Sequence, residues 1–159
     1  MDQADRLIAA LGLRPLTFEG GFFAETYRSN RGAGEKGNEP LCTAIYYLLT
    51  ADTRSRLHRL PKDELFHFYD GDPVEMLQLF PDGTGRALLL GRDVLGGERP
   101  QVRVPAGVWQ GARLLPGGRF ALLGTTMAPG FSPGDFEAGE ADRLTPAYPA
   151  FAPLIEDLA

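Results

Sequence analysis

The sequence is poor in the residues that build disulfide frameworks and metal sites. It contains one cysteine, Cys42, and two histidines among 159 residues. One cysteine excludes an internal disulfide, and two histidines exclude any site with three imidazole ligands. Low cysteine content is typical of cytoplasmic proteins, so we expect a cytoplasmic location. We expect Cys42, which lies in an apolar stretch, to be a buried and unreactive thiol.

Long apolar runs and clustered basic residues are also missing. The longest apolar runs, residues 44–49 and 87–90, are far shorter than the ~20 residues that a membrane-spanning helix needs. Residues 1–5 include two aspartates and no apolar run, so no secretory signal is expected. Lys and Arg number 16 against 21 Asp and Glu, for a net charge of −5, and they form no stripe. We therefore expect neither a membrane nor a nucleic acid as partner.

Glycine and proline, in contrast, are abundant. The 20 glycines and 13 prolines are spread along the chain, which is typical of many short strands joined by tight turns. Strand-like segments are predicted at residues 43–50, 54–60, 64–69, 74–80, 86–90, 101–104, 108–115 and 119–126. The turn at Pro81-Asp82-Gly83 predicts a hairpin between the fourth and fifth of them. An all-β sandwich or barrel is therefore expected.

The other segments fit one domain that spans residues 1–159. Apolar residues at helical spacing predict a short amphipathic helix over residues 2 to about 12, within an N-terminal segment 1–14. Residues 129–159, which carry five prolines between 129 and 153, are predicted to be an irregular tail packed over the barrel. Residues 30–40 are predicted to be a mobile loop.

Two segments resemble the sequence motifs of the cupin superfamily. The first cupin motif reads His-x-His, three or four residues, Glu, six residues and Gly, and the second contains Pro-x-Gly-x-x-His. On these positions stand His58, Leu60, Glu64 and Gly71 in the first motif and Pro105, Gly107 and Gln110 in the second. The match implies that both segments contribute to one site.

The ligand set that these motifs imply is incomplete. An intact site holds a divalent metal with three imidazoles and one carboxylate. Residues 58 and 60 share a strand face and should point into the barrel, but Leu60 cannot ligate and Gln110 offers only a weak amide oxygen. No cofactor is certain: a divalent metal ion on His58, Glu64 and Gln110 is one alternative, and a metal-free pocket with a His58–Glu64 pair is the other. His67 should face the opposite side of its strand.

The resemblance extends over nearly the whole chain. The chain is similar to the cupin-5 (DUF985) subfamily of uncharacterised proteins in residues 19–29, 43–49, 98–101, 104–110, 128–131 and 135–137. Thr17 and Phe18 replace the His-Pro pair that is usual in that group. The resemblance implies a double-stranded β-helix (a jelly-roll cupin barrel), a dimer, and a pocket like those of RmlC-like sugar-nucleotide epimerases and seed-storage proteins. It implies no known reaction.

Several side chains are candidates for the pocket. We expect His58 to act as a base that Glu64 orients, with Tyr27 or Tyr46 as the acid. Further candidates for ligand binding are Gln110, Trp109, Glu19, Arg28, Tyr46 and Phe66. The alternatives are a core or subunit contact for Trp109, core positions for Tyr46 and Phe66, and a charged edge strand for residues 25–29, in which Glu25 and Tyr27 share one face and Arg28 the other.

Three functions remain open at this point. The first is an isomerase or epimerase that abstracts a proton next to a carbonyl of a sugar or related metabolite. The second is a metal-dependent cupin enzyme with a reduced ligand set. The third is a non-catalytic module that binds a small, perhaps sugar-like, molecule. A homodimer is expected in each case from the resemblance.

Overall fold

Short strands are the most abundant secondary structure in the computed structural model, which describes residues 1–29, 32–33 and 39–159. The helices in these ranges are α1 (Gln3–Leu11), α2 (Ala141–Ala147) and α3 (Ala152–Leu158). The strands are β1 (Arg14–Pro15), β2 (Phe22–Arg28), β3 (Gly32–Ala33), β4 (Glu39–Pro40), β5 (Thr43–Thr50), β6 (Ser55–Arg59), β7 (Glu64–Gly71), β8 (Val74–Leu79), β9 (Gly85–Leu90), β10 (Gln101–Val104), β11 (Trp109–Leu114), β12 (Phe120–Met127) and β13 (Glu137–Ala138). Most of the predicted mobile loop 30–40 lies outside the described residues.

Two antiparallel sheets enclose one interior. The first sheet has the order β1-β2-β5-β12-β7-β10, and the second has the order β13-β6-β11-β8-β9. The predicted hairpin is the β8–β9 pair, in which Val74 lies opposite Leu90. The chain crosses repeatedly between the sheets, as in a jelly roll. The predicted all-β class and the double-stranded β-helix are therefore confirmed.

Apolar side chains that point inward from alternate strand positions fill the barrel interior. Inward-facing apolar residues of both sheets form one cluster that includes Tyr47, Leu49, Phe66, Met76 and Leu123. Each is almost completely removed from water, and together they supply the main hydrophobic stabilisation. The strands thus have one face committed to a common core.

The predicted N-terminal helix is α1. The side chain of Asp2 accepts a hydrogen bond from the backbone N–H of Asp5, while Gly12 ends the helix in the left-handed conformation at φ 64°. Ala4 and its apolar neighbours on α1 pack against Leu48 and Phe120. The helix therefore covers the outer face of the first sheet.

The C-terminal segment is more regular than the irregular tail predicted for residues 129–159. Helices α2 and α3 pack Leu144, Ile155 and Leu158 against Leu57 and Trp109 on the outer face of the second sheet. Prolines lie at the start of α3 and near the end of α2, so they disrupt few helical hydrogen bonds. Because prolines are frequent in this segment, its sequence did not predict the two helices. The helices in the described part of the chain are all too short for a transmembrane span.

Candidate functional site

A cavity of about 170 Å³ lies at one end of the barrel interior. Eight of its fourteen described lining residues are apolar, among them Phe18, Leu60 and Met127. The polar lining residues are Glu19, Glu25, Arg28, Thr43, Glu64 and Thr125. The cavity thus combines an apolar wall with a few convergent polar groups, as ligand sites usually do.

Glu64 and Gln110 join the two sheets at the inner end of this cavity. Glu64 opens β7 opposite Met127 of β12, and only 8% of it is exposed. Gln110 lies on β11 in the other sheet and donates from Nε2 to Oε1 of Glu64 at 2.9 Å. The structure therefore brings together the carboxylate and the amide of the two sequence motifs.

His58 lies beside this pair but contacts a different carboxylate. Its Nε2 is 3.9 Å from Oε2 of Glu19, and its Nδ1 is 2.6 Å from the backbone oxygen of Arg56. Because a carbonyl can only accept, Nδ1 carries a proton, and Nε2 is the nitrogen directed at Glu19. The other oxygen of Glu19 accepts a hydrogen bond from Ser55 at 2.7 Å.

A β-bulge explains why Ser55 and His58 reach the same site although they are three residues apart. On the facing strand β11 their partners are Ala112 and Gln110, only two residues apart. The extra residue on β6 shifts the alternation, so both side chains are buried at 1% exposure. Strict alternation along β6 would have predicted that Ser55 and His58 lie on opposite faces of the strand.

The Gly20-Gly21 bend holds Glu19 at the cavity. Gly20 adopts φ 103°, and a β-carbon there would overlap the backbone oxygen of Arg54. The carbonyl of Gly20 accepts a hydrogen bond from the hydroxyl of Tyr47 at 2.7 Å. Glycine is therefore required at this turn, which places the Glu19 carboxylate next to Ser55 and His58.

Burial makes Glu64 an unusual acid. Loss of water, followed by the charge of Glu19, raises the pKa of Glu64 from 4.5 to about 7, against the opposing effects of His58, Gln110 and Thr125. Burial likewise raises the pKa of Tyr47 well above 10.0, with Glu19 adding to the shift. Near neutral pH the Glu64 carboxyl can therefore both take up and release a proton.

Glu25 and Arg28 form an ion pair in the cavity lining. The guanidinium of Arg28 donates to both carboxylate oxygens of Glu25 at 2.8 Å, and its third contact is the backbone oxygen of Phe131 at 2.9 Å. The prediction that Arg28 faces away from Glu25 is wrong. A bulge between Glu25 and Tyr27 inserts one residue opposite β5, so the two charges lie on one side.

Aromatic side chains close the site over His58. Phe136 stacks on the His58 ring with centroids 4.9 Å apart, and Phe18 meets Phe136 edge-on at the same separation. Phe131 lies parallel to Phe18 at 6.5 Å. The segment after β12 therefore covers the cavity with rings rather than with polar groups.

Six of the proposed ligand-binding or catalytic residues are not in the cavity lining: His58 and Gln110, which lie directly behind it, and four that lie elsewhere. Tyr27 is 56% exposed, and Tyr46 packs toward α1 on the outer side of the first sheet. Trp109 is buried beneath the C-terminal helices, where the Arg59 guanidinium lies 4.6 Å from its ring. Phe66 is part of the barrel core. Both faces of β5 are apolar, so the sequence does not show whether Tyr46 or Tyr47 points inward.

His67 and Cys42 lie away from the cavity. His67 faces outward from β7, as expected, and its Nε2 is 3.2 Å from the hydroxyl of Thr126. Cys42 is half-buried rather than buried, because it lies at the bend before β5. Neither residue lines the cavity.

Sequence reasoning missed Tyr47, Ser55 and Thr125. All three are buried polar residues next to Glu19 or Glu64. The available signal was a hydroxyl in an otherwise apolar strand, as in Thr43–Thr50 and Phe120–Met127. A hydroxyl that is removed from water needs a partner, which favours its placement beside other polar groups.

The side chains do not fit the metal set that the sequence motifs raise as an alternative. Leu60 lines the cavity with an aliphatic side chain, and the amide of Gln110 donates to Glu64. In the described ranges, no three His, Cys, Asp or Glu side chains are grouped to hold a metal ion. The polar side chains instead form hydrogen bonds, between Gln110 and Glu64 and between Ser55 and Glu19.

Comparison with known proteins gives a family match over most of the chain. Residues 5–139 match the family model described as Cupin superfamily (DUF985). The uncharacterized protein YML079W of Saccharomyces cerevisiae is 33% identical over 134 residues, which are 75% of this chain. The aligned part spans 65% of that yeast protein, slightly less than two thirds of its length.

Two solved structures are similar along their full length. A hypothetical protein from Leishmania major has a TM-score of 0.90 at 31% identity and covers 99% of both chains. Protein SO0799 from Shewanella oneidensis has a TM-score of 0.89 at 34% identity, over 100% of this chain and 98% of that one. Neither description names a reaction, so the geometry of the site is what points to a function.

Proposed function

Since the chain belongs to the cupin superfamily (DUF985), we propose that it binds a small molecule in the barrel cavity and moves a proton on that molecule through Glu64, as an isomerase or epimerase does. The observation that carries the proposal is the position of Glu64. Its carboxyl lines the cavity, is buried, and has a pKa of about 7. An acid with a pKa near the working pH is best suited to proton transfer in both directions.

The proposed step is proton abstraction next to a carbonyl group. The Glu64 carboxylate takes the proton from carbon, and the electron pair of the C–H bond forms the enolate of the ligand. Protonated Glu64 then returns the proton to the same carbon or to a neighbouring one. Gln110 orients Glu64 through the 2.9 Å hydrogen bond, and the apolar wall excludes water that would compete for the proton.

Glu19 and His58 lie next to each other beside Glu64. Glu19 lines the cavity, whereas His58 is buried behind it against Phe136. The sequence motifs led us to expect His58 as the base and Glu64 as the residue that orients it. We now propose Glu64 as the base, and His58 as a group that acts through Glu19. Tyr27 and Tyr46 have no part in the step.

Hydrogen exchange on carbon tests the proposal. In heavy water, the protein should incorporate deuterium next to the carbonyl of at least one compound in a panel of keto-sugars and of small apolar ketones with and without an amino group, followed by NMR. Glu64→Gln keeps the size of the side chain and should lower the rate by at least ~100-fold. The control Glu156→Gln, on the exposed side of α3, should exchange at the wild-type rate. Equal rates in the Glu64 variant would remove the proposal.

Turnover also separates an enzyme from a binding module. The apolar lining supports a ligand less polar than a free sugar, although a sugar-like ligand was the first expectation. A non-catalytic module would bind a ligand in the cavity and exchange no hydrogen with any compound of the panel. Deuterium incorporation that depends on Glu64 is the result expected here.

A homodimer and a cytoplasmic location belong to the same proposal. Leu65 and Tyr69, exposed on the outer face of β7 on either side of His67, provide apolar surface that a second copy could cover. Sedimentation at micromolar concentration should give twice the mass of 17.3 kDa. A monomer at that concentration would contradict the dimer without affecting the proton transfer.

A further inference from the structure

We infer that the ligand of the cavity carries a cationic nitrogen on an apolar body, and that its ammonium group binds between Glu64 and Glu19. The inference rests on the proposed function, because it concerns the same cavity. It adds the chemical class of the ligand, which neither the family match nor the related proteins state.

The charge of the cavity lining is the first support. Its described residues include three carboxylates, Glu19, Glu25 and Glu64, and one guanidinium, that of Arg28. Arg28 and Glu25 form the two-pronged ion pair described above, so these two charges offset each other. The remaining lining charge is negative: it lies on Glu19, and on Glu64 whenever that carboxyl is ionised.

The partners of these two carboxylates are the second support. Glu64 receives its hydrogen bond from the neutral amide of Gln110, and Glu19 receives one from the neutral hydroxyl of Ser55. The imidazole of His58 is 3.9 Å from Glu19 and lies outside the lining. Burying a carboxylate without a countercharge is costly, and two adjacent carboxylates repel each other. A bound cation would offset both effects.

The wall of the cavity is the third support. The rings of Phe18, Phe23 and Phe131 line it together with aliphatic side chains. Aromatic faces attract cations, while apolar walls favour a body without hydroxyl groups. An anionic ligand would be repelled by Glu19 and Glu64, which have no countercharge in the lining. A free sugar would place many of its hydroxyl groups against the apolar wall.

A bound cation also explains how Glu64 becomes a base. Glu64 is faced by Glu19 from the segment before β2, by His58 from β6, by Gln110 from β11 and by Thr125 from β12. An ammonium group among them favours the charged form of Glu64, so a larger fraction of this carboxyl is ionised and able to accept a proton when the ligand is bound. The ligand thus promotes the carboxylate that abstracts its proton.

Three probes of one shape and different charge test the inference: benzylammonium, benzyl alcohol and benzoate. Each is titrated into the full chain at neutral pH, with NMR of the Met127 and Ile45 methyl groups, which line the cavity, as the readout. Benzylammonium should bind at least ~10-fold more tightly than benzyl alcohol, and benzoate should bind most weakly. Glu64→Gln and Glu19→Gln should each remove most of this preference, whereas Glu156→Gln should keep it.

The outcomes separate the two proposals. Preferential binding of benzyl alcohol or benzoate at the cavity methyl groups would overturn the cationic ligand and leave the small-molecule pocket intact. A preference for benzylammonium that survives in both cavity variants would also overturn it. No change at either methyl group with any probe would count against binding in the cavity itself, and so against both proposals.

Discussion

The two ends of the barrel interior are built from the same strands but differ in chemistry. On β7, Glu64 lies at one end, while Phe66 and Phe68 lie at the other. On β12, Thr125 borders the cavity, while Leu123 belongs to the apolar core. Inward-facing positions recur every two residues along each strand. One strand can therefore place a polar side chain at one end of the interior and apolar side chains at the other.

Apolar core residues and buried polar residues are thus supplied by different positions of the same strands. The apolar end gains free energy by burial, whereas the polar end pays a desolvation cost for Glu64 that the apolar end offsets. Substitutions at the two ends should therefore differ in the size of their effect on stability and in its dependence on pH.

The largest effect is expected at the apolar end. Phe66→Ala should lower the free energy of unfolding by about 3–5 kcal/mol, because the ring is fully buried in the core and its loss leaves a void. Tyr27→Ala, which removes an aromatic side chain that is 56% exposed, should cost less than about 1 kcal/mol. Denaturant unfolding measures both. Equal losses would mean that the core is not concentrated at this end.

At the polar end, stability should depend on pH in the opposite sense to that of a salt-bridged carboxylate. Between 4.5 and about 7, the two pKa values of Glu64, the folded state retains a proton that the unfolded state has lost. The free energy of unfolding should therefore fall as pH rises through this range, by on the order of 3 kcal/mol in all. Glu64→Gln should lack this decrease. Identical pH profiles of the two proteins would refute the assignment.

The covering of the polar end should show a smaller effect. The side chain of Lys62, only 9% exposed, donates to Asp135 at 2.8 Å and to the backbone oxygen of Gly130 at 2.9 Å. Lys62→Met should cost about 1–3 kcal/mol, because it leaves the Asp135 carboxylate without its cation. Amide hydrogen exchange should increase mainly in residues 130–136. A change spread evenly over the barrel would show that Lys62 does not act on this segment.

The smallest effect is expected outside the barrel. The Arg143 side chain, 66% exposed, is 3.9 Å from Glu137. Arg143→Gln should change the free energy of unfolding by less than about 0.5 kcal/mol, since solvent screens such a pair. Thermal unfolding at low and high salt provides the measurement. A loss as large as that of the Lys62 variant would contradict the contrast between buried and exposed charges.

Much of the fold was predictable because its strands are short and bounded by clear turns. The predicted strand over residues 43–50 coincides with β5, and the predicted strand over 101–104 coincides with β10. The C-terminal helices were missed because prolines interrupt their pattern. Helix α2 is stabilised by tertiary packing of Leu144 against the second sheet rather than by its own sequence.

The site was predictable in its motif residues but not in its neighbours. The resemblance to the two cupin motifs related Glu64 to Gln110, which hydrogen-bond in the structure. It could not reveal that a bulge turns Ser55 inward beside His58, or that Tyr47 rather than Tyr46 faces the barrel. A bulge leaves no unambiguous trace in one sequence, and a strand that is apolar on both faces does not reveal its orientation.

The most direct measurement is the titration of the Glu64 carboxyl carbon by NMR in protein labelled at glutamate side chains, with Glu64→Gln used to assign its signal. We expect a midpoint near pH 7. A midpoint near pH 4.5, the ordinary value for glutamate, would mean that this carboxyl is solvated and would contradict its role in proton transfer.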